Sequence, residues 1–251
     1  MGEIAVVGAG GGIGKFLANH LDAVSFMRGD SLSKIGGAGT IIFCAAKAHF
    51  ETATSKLYSS LEDNLLLLER ISQLPHTRFV YFSTVDLYPQ DGKTHSEDEE
   101  LQIEKTFGGY PAFKLMGEAI VKERCSMPII LRPTSLFGKG MRPNNVLRLI
   151  NGHTGALTLR EDASFNCVTY GMIATLIEAA IAEGATGTFN CAATGQITLG
   201  DVAKLTGYEG DFGPHSYSAP TVANDKACAL APVFERTSLE IVTQLVAEAR
   251  S

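Results

Sequence analysis

The chain has 251 residues, 45% of them hydrophobic, enough to bury a sizeable core as one large α/β domain or a main domain with a small appendage, so disordered and fibrous classes are excluded. Its formal net charge of −6 offers no basic field to nucleic acid or to an anionic membrane surface, and any anionic ligand must be held locally. Five scattered cysteines, Cys44, Cys125, Cys167, Cys191 and Cys228, make no CxxC pair and have no histidine at metal-ligand spacing; they read as buried thiols of a reducing compartment, with no metal.

The first residues enter an apolar segment without the basic region and cleavage site of a signal peptide, and Val6 stands where a myristoylation signal needs Ser or Thr. No apolar run approaches the ~20 residues that span a bilayer, so a cytoplasmic protein is expected. Short β-branched runs then alternate with stretches of helical period, which argues an α/β, Rossmann-type doubly wound parallel sheet with helices on both faces. The first predicted strand, residues 3–8, leads through VVGAGGGIGKF into a helix over 12–20. Gly8, Gly11 and Gly14 recur every third residue at the mouth of that helix. There, unpaired N–H groups and the positive dipole end can meet a phosphate, and missing Cβ atoms let it come close. With Gly12 and Ile13 they form the expected pyrophosphate cradle of a dinucleotide, although the spacing is GxxGxxG rather than GxGxxG.

A strand over 23–27 runs into Arg28. A basic residue at this tip pairs with a 2′-phosphate, whereas an acidic one takes the ribose hydroxyls, so Arg28, with Lys15 as a second cation, favours NADP; Asp30 is the alternative that would favour NAD. Only residues 28–39 separate this strand from the next, over 40–46. That is too short for a helix and a further strand, and predicts a shortened adenosine half.

A helix over roughly 57–73 and a strand over 78–84 lead to SEDEE, residues 96–100. Ser96 with Glu99 three residues on spells a capping box and predicts a solvated helix start. The stretch GYPAFKLMGE opens a helix over 111–124. Proline is tolerated in a first turn and turns the residue before it away from helical geometry, so Tyr110 is expected as the cap. Tyr110 and Lys114, four apart, share one helical face. A free phenol, with a pKa of about 10, releases its proton reluctantly, and a neighbouring ammonium together with a cofactor's positive nicotinamide lowers that value. Later strands are expected over 128–133 and 187–193, and helices over 143–150, 169–183, 199–205 and 236–249. Cys44 and Cys167 read as core, and the lone His49 and His215 as residues outside the site.

In this order and spacing, GAGGGIG after the first strand, FCAA at 43–46, the Asn of LEDNLLLLERI, YFSTVDLY at 81–88, YPAFK at 110–114, LRPTSLFG at 131–138 and FNCAATGQITLGDVAKLTG at 189–207 carry a resemblance. Over nearly its whole length the chain is similar to the extended short-chain dehydrogenase/reductases, mostly nucleotide-sugar epimerases, dehydratases and reductases. The resemblance implies that Tyr110 moves the substrate proton, that Lys114 assists it and touches the cofactor, that Thr84 holds the substrate oxygen with Ser83 a step away, and that Asn64 supports the site. It adds Ala45, Ala46 and Pro133 to the cofactor walls. Asp86 falls where certain dehydratases carry an acid, but Val85 departs from their neighbouring acid.

The resemblance also divides the chain into a dinucleotide-binding domain, residues 1–137 and 164–193, and a small C-terminal substrate lobe, residues 138–163 and 194–251. Arg142, Asn144, Asn145 and Arg160 are the candidate ligands there for phosphate or a uracil-like edge. The family's Arg-x-Phe reads Ala163-Ser164-Phe165 here, and its later acidic pair reads Thr169-Tyr170. The helices over 57–73 and 111–124 are those that pair across family homodimers. The leading expectation is NADP-dependent reduction of a keto group on a nucleotide-linked sugar, with Tyr110 as general acid. A nucleotide-sugar epimerase that retains its NAD(P), and a non-catalytic NADP(H)-binding sensor, are the alternatives.

Overall fold

The computed structural model describes residues 3–46, 54–106 and 108–250. Its strands are β1 (Ile4–Val7), β2 (Val24–Phe26), β3 (Thr40–Phe43), β4 (Arg78–Phe82), β5 (Thr94–His95), β6 (Pro128–Pro133), β7 (Ser135–Phe137), β8 (Ser164–Phe165), β9 (Cys167–Thr169), β10 (Gly187–Cys191), β11 (Ile197–Thr198) and β12 (Thr221–Val222). The α-helices are α1 (Gly12–His20), α2 (Thr54–Leu61), α3 (Leu67–Ser72), α4 (Gly109–Arg124), α5 (Asn145–Ile150), α6 (Tyr170–Glu183), α7 (Leu199–Thr206), α8 (Asp225–Leu230) and α9 (Ser238–Arg250).

Six strands form one sheet in the order β10-β6-β4-β3-β1-β2, every pairing parallel. Their near-continuous apolar sequence fits strands covered on both faces. Alternate residues divide between two cores. Val6, Ile42, Val80, Ile129 and Leu131 face α1 and α6, while Ala5, Val7, Ile41, Phe43, Phe79 and Ile130 face Leu68, Ile71 and Val121 of α3 and α4. The first core continues without a break into Val146, Leu149, Phe165, Val202, Phe234 and Ile241. Only a single 3₁₀ turn, Leu32–Lys34, joins β2 to β3, so the sheet ends at β2 and the adenosine half is short, as the spacing predicts.

After β1 the chain adds β2 on one side and β3 on the other, which makes the carboxyl ends of β1 and β3 the switch point where such sheets open a crevice. The strands stop two or three residues short of their expected ends: residues 44–46, 83–84 and 192–193 leave the ladder. Two predicted helix starts also differ. SEDEE opens no helix; the Ser96 N–H donates to Glu99 Oε1 at 2.8 Å across a turn. Helix α4 begins at Gly109 after Gly108, whose φ of 95° suits glycine, so Tyr110 is helical rather than the cap. Pro111 still falls in the first turn, where no intrahelical partner for an N–H is lost.

The helix expected over 57–73 is α2 and α3 joined by a π-helical turn, Glu62–Leu66. Such turns insert an extra residue and recur at functional sites; this one contains Asn64 and packs against α4. Among the described residues no helix is long and apolar enough to cross a membrane, and no cluster of metal-ligating side chains occurs.

Candidate active site

A cleft of about 1510 Å³ opens at the carboxyl ends of β1 and β3. Gly8, Gly11, Gly12, Ile13 and Gly14 line its floor, with Ala45 and Ala46 beside them. Sterics explain the glycines. A Cβ on Gly14 would stand 2.2 Å from the Gly8 carbonyl oxygen, and one on Gly8, where φ is +92°, 2.7 Å from the Ala45 nitrogen. Gly10 and Gly11 meet nothing within 4 Å, and no side chain caps α1. The loop therefore lies tight against the sheet while presenting uncapped N–H groups to the cleft, which fits a dinucleotide pyrophosphate.

Arg28 and Asp30 line the adenosine end. The Arg28 guanidinium donates to Asp63 at 2.5 Å. Asp30 is committed locally, accepting from the Met27 N–H and from Lys34, each at 2.8 Å; the Lys34 hydrogen bond, then that of Met27, holds its carboxyl below the usual range. Two expected cofactor contacts do not reach the cleft wall. Lys15 is exposed on the outer side of α1, and Pro133 is buried in the ladder opposite Cys191.

At the other end, Tyr110 and Asp86 face the cleft with Arg142 and Asn144. Lys114 lies beneath Tyr110, 4% exposed, its Nζ 5.7 Å from the Tyr110 ring centroid and 5.0 Å from that of Tyr81. Its ammonium donates to the Phe82 carbonyl at 2.5 Å. Burial lowers the lysine to about 8, against an opposing pull from Glu118. The lysine alone does not lower the phenol. Burial, then the Asp86 carboxylate, pushes Tyr110 up to about 12, with Arg142 opposing. The reason is geometric: the lysine is turned to a main-chain carbonyl under the ring, while a carboxylate occupies the cleft side. Burial raises Asp86 as well, against the Thr84 hydrogen bond.

Thr84 is buried at the end of β4, where its hydroxyl donates to Asp86 Oδ2 at 3.1 Å and accepts from the Asp86 N–H at 3.2 Å. To hold a substrate oxygen it must release Asp86. Ser83 does not line the cleft: its hydroxyl donates to buried Glu118 at 2.6 Å. Glu118 is paired bidentately with Arg132, at 2.8 and 2.7 Å, and Arg132 donates to the Tyr88 hydroxyl at 2.6 Å. Glu118 continues the face of Tyr110 and Lys114 by another four residues, so this buried pair fixes α4 to β6. From the π turn, Asn64 donates back to the Ser60 carbonyl of α2 at 2.8 Å.

The remaining candidates separate. Asn144 caps α5, accepting from the Leu147 N–H at 2.8 Å. Asn145 turns inward, donates to Thr158 at 3.0 Å and does not line the cleft. Arg160 pairs with Asp162 at 2.9 and 2.8 Å in a separate cavity of about 560 Å³. His215 is exposed near that loop, and His49 lies outside the described residues. Cys167 is core, whereas Cys44 lines the cleft. Sequence reasoning missed Asp63 and Tyr170 in the lining. The only signals were the acid beside Asn64 and an aromatic at the family's acidic pair.

A model of the NAD dependent epimerase/dehydratase family matches residues 24–171. No curated protein sequence matches the chain. Among solved structures, a dTDP-4-dehydrorhamnose reductase from Clostridium acetobutylicum superposes with a TM-score of 0.81 at 18% identity, over 99% of this chain and 100% of that one. The dTDP-4-dehydrorhamnose reductase of Bacillus anthracis, in complex with NADP, gives 0.78 at 18% over 99% of both. UDP-glucuronic acid 4-epimerase from Bacillus cereus, in complex with UDP-glucuronic acid and NAD, gives 0.77 at 18% over 98% and 99%. At these identities the likeness is one of fold.

Proposed function

We propose that this chain, which belongs to the NAD-dependent epimerase/dehydratase family, is an NADP-dependent reductase of a keto group on a nucleotide-linked sugar, of the 4-keto-6-deoxy kind. When bound, the dinucleotide supplies the hydride. Tyr110 protonates the carbonyl oxygen, Lys114 holds the underside of its ring, and Thr84, once it releases Asp86, orients the oxygen. Asn64 steadies α4 through the π turn. Arg142 and Asn144 meet the sugar nucleotide from the smaller lobe, residues 138–163 and 194–251.

The observation that carries this reading is the arrangement of the cleft: Tyr110 faces it with the Lys114 ammonium under its ring, and Arg28 stands at the adenosine end. Burial and Asp86 push Tyr110 up to about 12, so the phenol of the free protein carries the proton that reduction consumes. An epimerase must first withdraw a proton, and a sensor has no need of the phenol. Arg28 at the tip of β2 supports NADP. Two of the structural relatives are reductases, one in complex with NADP, and a third is an epimerase with NAD.

The test is NADPH absorbance with nucleotide-linked 4-keto-6-deoxy sugars. Stoichiometric oxidation that Tyr110→Phe abolishes, while NADPH binding survives, supports reduction. Interconversion of sugars without net NADPH oxidation establishes epimerisation in its place, and binding without turnover of any sugar leaves the sensor. The same reading includes a homodimer through α2 and α4, where Leu57, Tyr58 and Met116 are exposed.

A further inference from the structure

We propose that the Tyr170 hydroxyl is a ligand of the dinucleotide pyrophosphate, reaching it from the wall opposite the glycine loop; the proposal rests on the dinucleotide reading above. Tyr170 is the first residue of α6, whose start is fixed by Thr169 accepting from the Met172 N–H. Its ring is locked. A Cβ on Gly138 would fall 2.1 Å from the ring's Cδ2, so the ring lies against that backbone, and Phe16 of α1 packs on it, tilted, at 5.7 Å between centroids.

Only the tip of the side chain is left for the cleft. Tyr170 is 5% exposed and lines it. A Cβ on Gly12, at the uncapped start of α1, would stand 3.3 Å from the Tyr170 hydroxyl. That hydroxyl makes no hydrogen bond with any described residue. It does not belong with the buried polar atoms left without a partner, so the hydroxyl opens to the cleft and is free to bind there. The hydroxyl faces the N–H groups that the cradle offers to an anion, and a phosphate oxygen there would take donors from both walls at once. Burial raises the phenol, which keeps it a donor.

Tyr170→Phe keeps the ring and removes one oxygen. In the full-length protein, calorimetry should find affinity for NADPH and ADP-ribose reduced about tenfold, the worth of one hydrogen bond to a charged group. Adenosine, which has no phosphate, should keep its affinity in ligand-observed NMR, and the melting temperature of the free protein should hold. Unchanged ADP-ribose affinity overturns the proposal, as does an equal loss for adenosine, which would make Tyr170 a packing residue. Failure of the unsubstituted protein to bind ADP-ribose or NADPH overturns the dinucleotide reading itself, and this one with it.

Discussion

Arg28 and Asp63 face each other across the adenosine end of the cleft, joined at 2.5 Å. The arginine side chain is 82% exposed and the aspartate 21%, and such a pair is worth at most about 1 kcal/mol. It therefore opens at little cost for a stronger anion. Arg28→Ala should weaken NADPH binding about tenfold or more and leave NADH binding nearly unchanged. Asp63→Asn should raise the preference for NADPH over NADH. Dissociation constants for both nucleotides check this, and an Arg28→Ala variant with an unaltered ratio removes the arginine from cofactor choice.

The Lys114 ammonium predicts two opposite pH effects. Its value falls from 10.5 to about 8 in the folded protein, so between these limits the unfolded chain holds the extra proton. Stability therefore rises with pH through that window, by up to about 3 kcal/mol relative to Lys114→Met. Reductive kcat should fall over the same window as the ammonium is lost, because Tyr110, at about 12, remains protonated. Urea melts and a kcat profile from pH 7 to pH 10.5 measure both, and a flat kcat profile would remove the ammonium from the chemistry.

Glu118 and Arg132 are each 1% exposed or less. Glu118→Ala leaves an uncompensated buried guanidinium and should cost about 3–5 kcal/mol. Burial alone would raise the Glu118 carboxyl, but the Arg132 hydrogen bonds and charge, with the Ser83 hydroxyl, take it below the usual 4.5. A depressed carboxylate stabilises above its unfolded value, and that contribution is lost as pH falls through the folded one. Acid titration followed by circular dichroism should therefore find the Glu118→Gln variant less sensitive below pH 4.5 than the parent. Equal acid sensitivity would place the acid-labile group elsewhere.

Gly14→Ala would set a methyl group 2.2 Å from the Gly8 carbonyl oxygen, and a backbone atom cannot swing aside as a side chain would. The loop must lift, which should cost about 1–3 kcal/mol and abolish measurable NADPH binding. A thermal melt with and without NADPH reads both effects. A variant that keeps its ligand-induced stabilisation would show that the loop does not cradle the cofactor.

For the homodimer, Tyr58→Lys combined with Met116→Lys should convert the assembly to monomers under light scattering. A parent protein that already runs as a monomer ends that proposal.

The strands were legible because both-face burial demands continuous apolar runs, as in IAVV and TIIF. Their ends were not: Cys44, Ala45 and Ala46 are as apolar as the ladder they leave, yet they turn out to form the cleft wall. The glycine loop could be placed because its steric need is local. Direction was the hidden variable for the polar candidates. Ser83 and Thr84 are neighbours of like chemistry, but the extended chain just past β4 sends one to Glu118 and leaves the other beside Asp86. Asn144 and Asn145 divide in the same way between a cap and an inward bond. Tyr170 appeared in the sequence only as a missing acid, since what gives it a role is Gly138 beneath its ring.

The strand order has a consequence for biosynthesis. After β2 has closed one side of β1, β3 joins the other side, and each of β4, β6 and β10 then joins outside the sheet strand made before it. The sheet can therefore grow from a single advancing border as the polypeptide leaves the ribosome. The vulnerable interval comes after β6, whose PIILRP border stays unpaired while residues 134–186 are still being translated. A nascent chain arrested there should recruit holding chaperones, and one extended past Cys191 should release them.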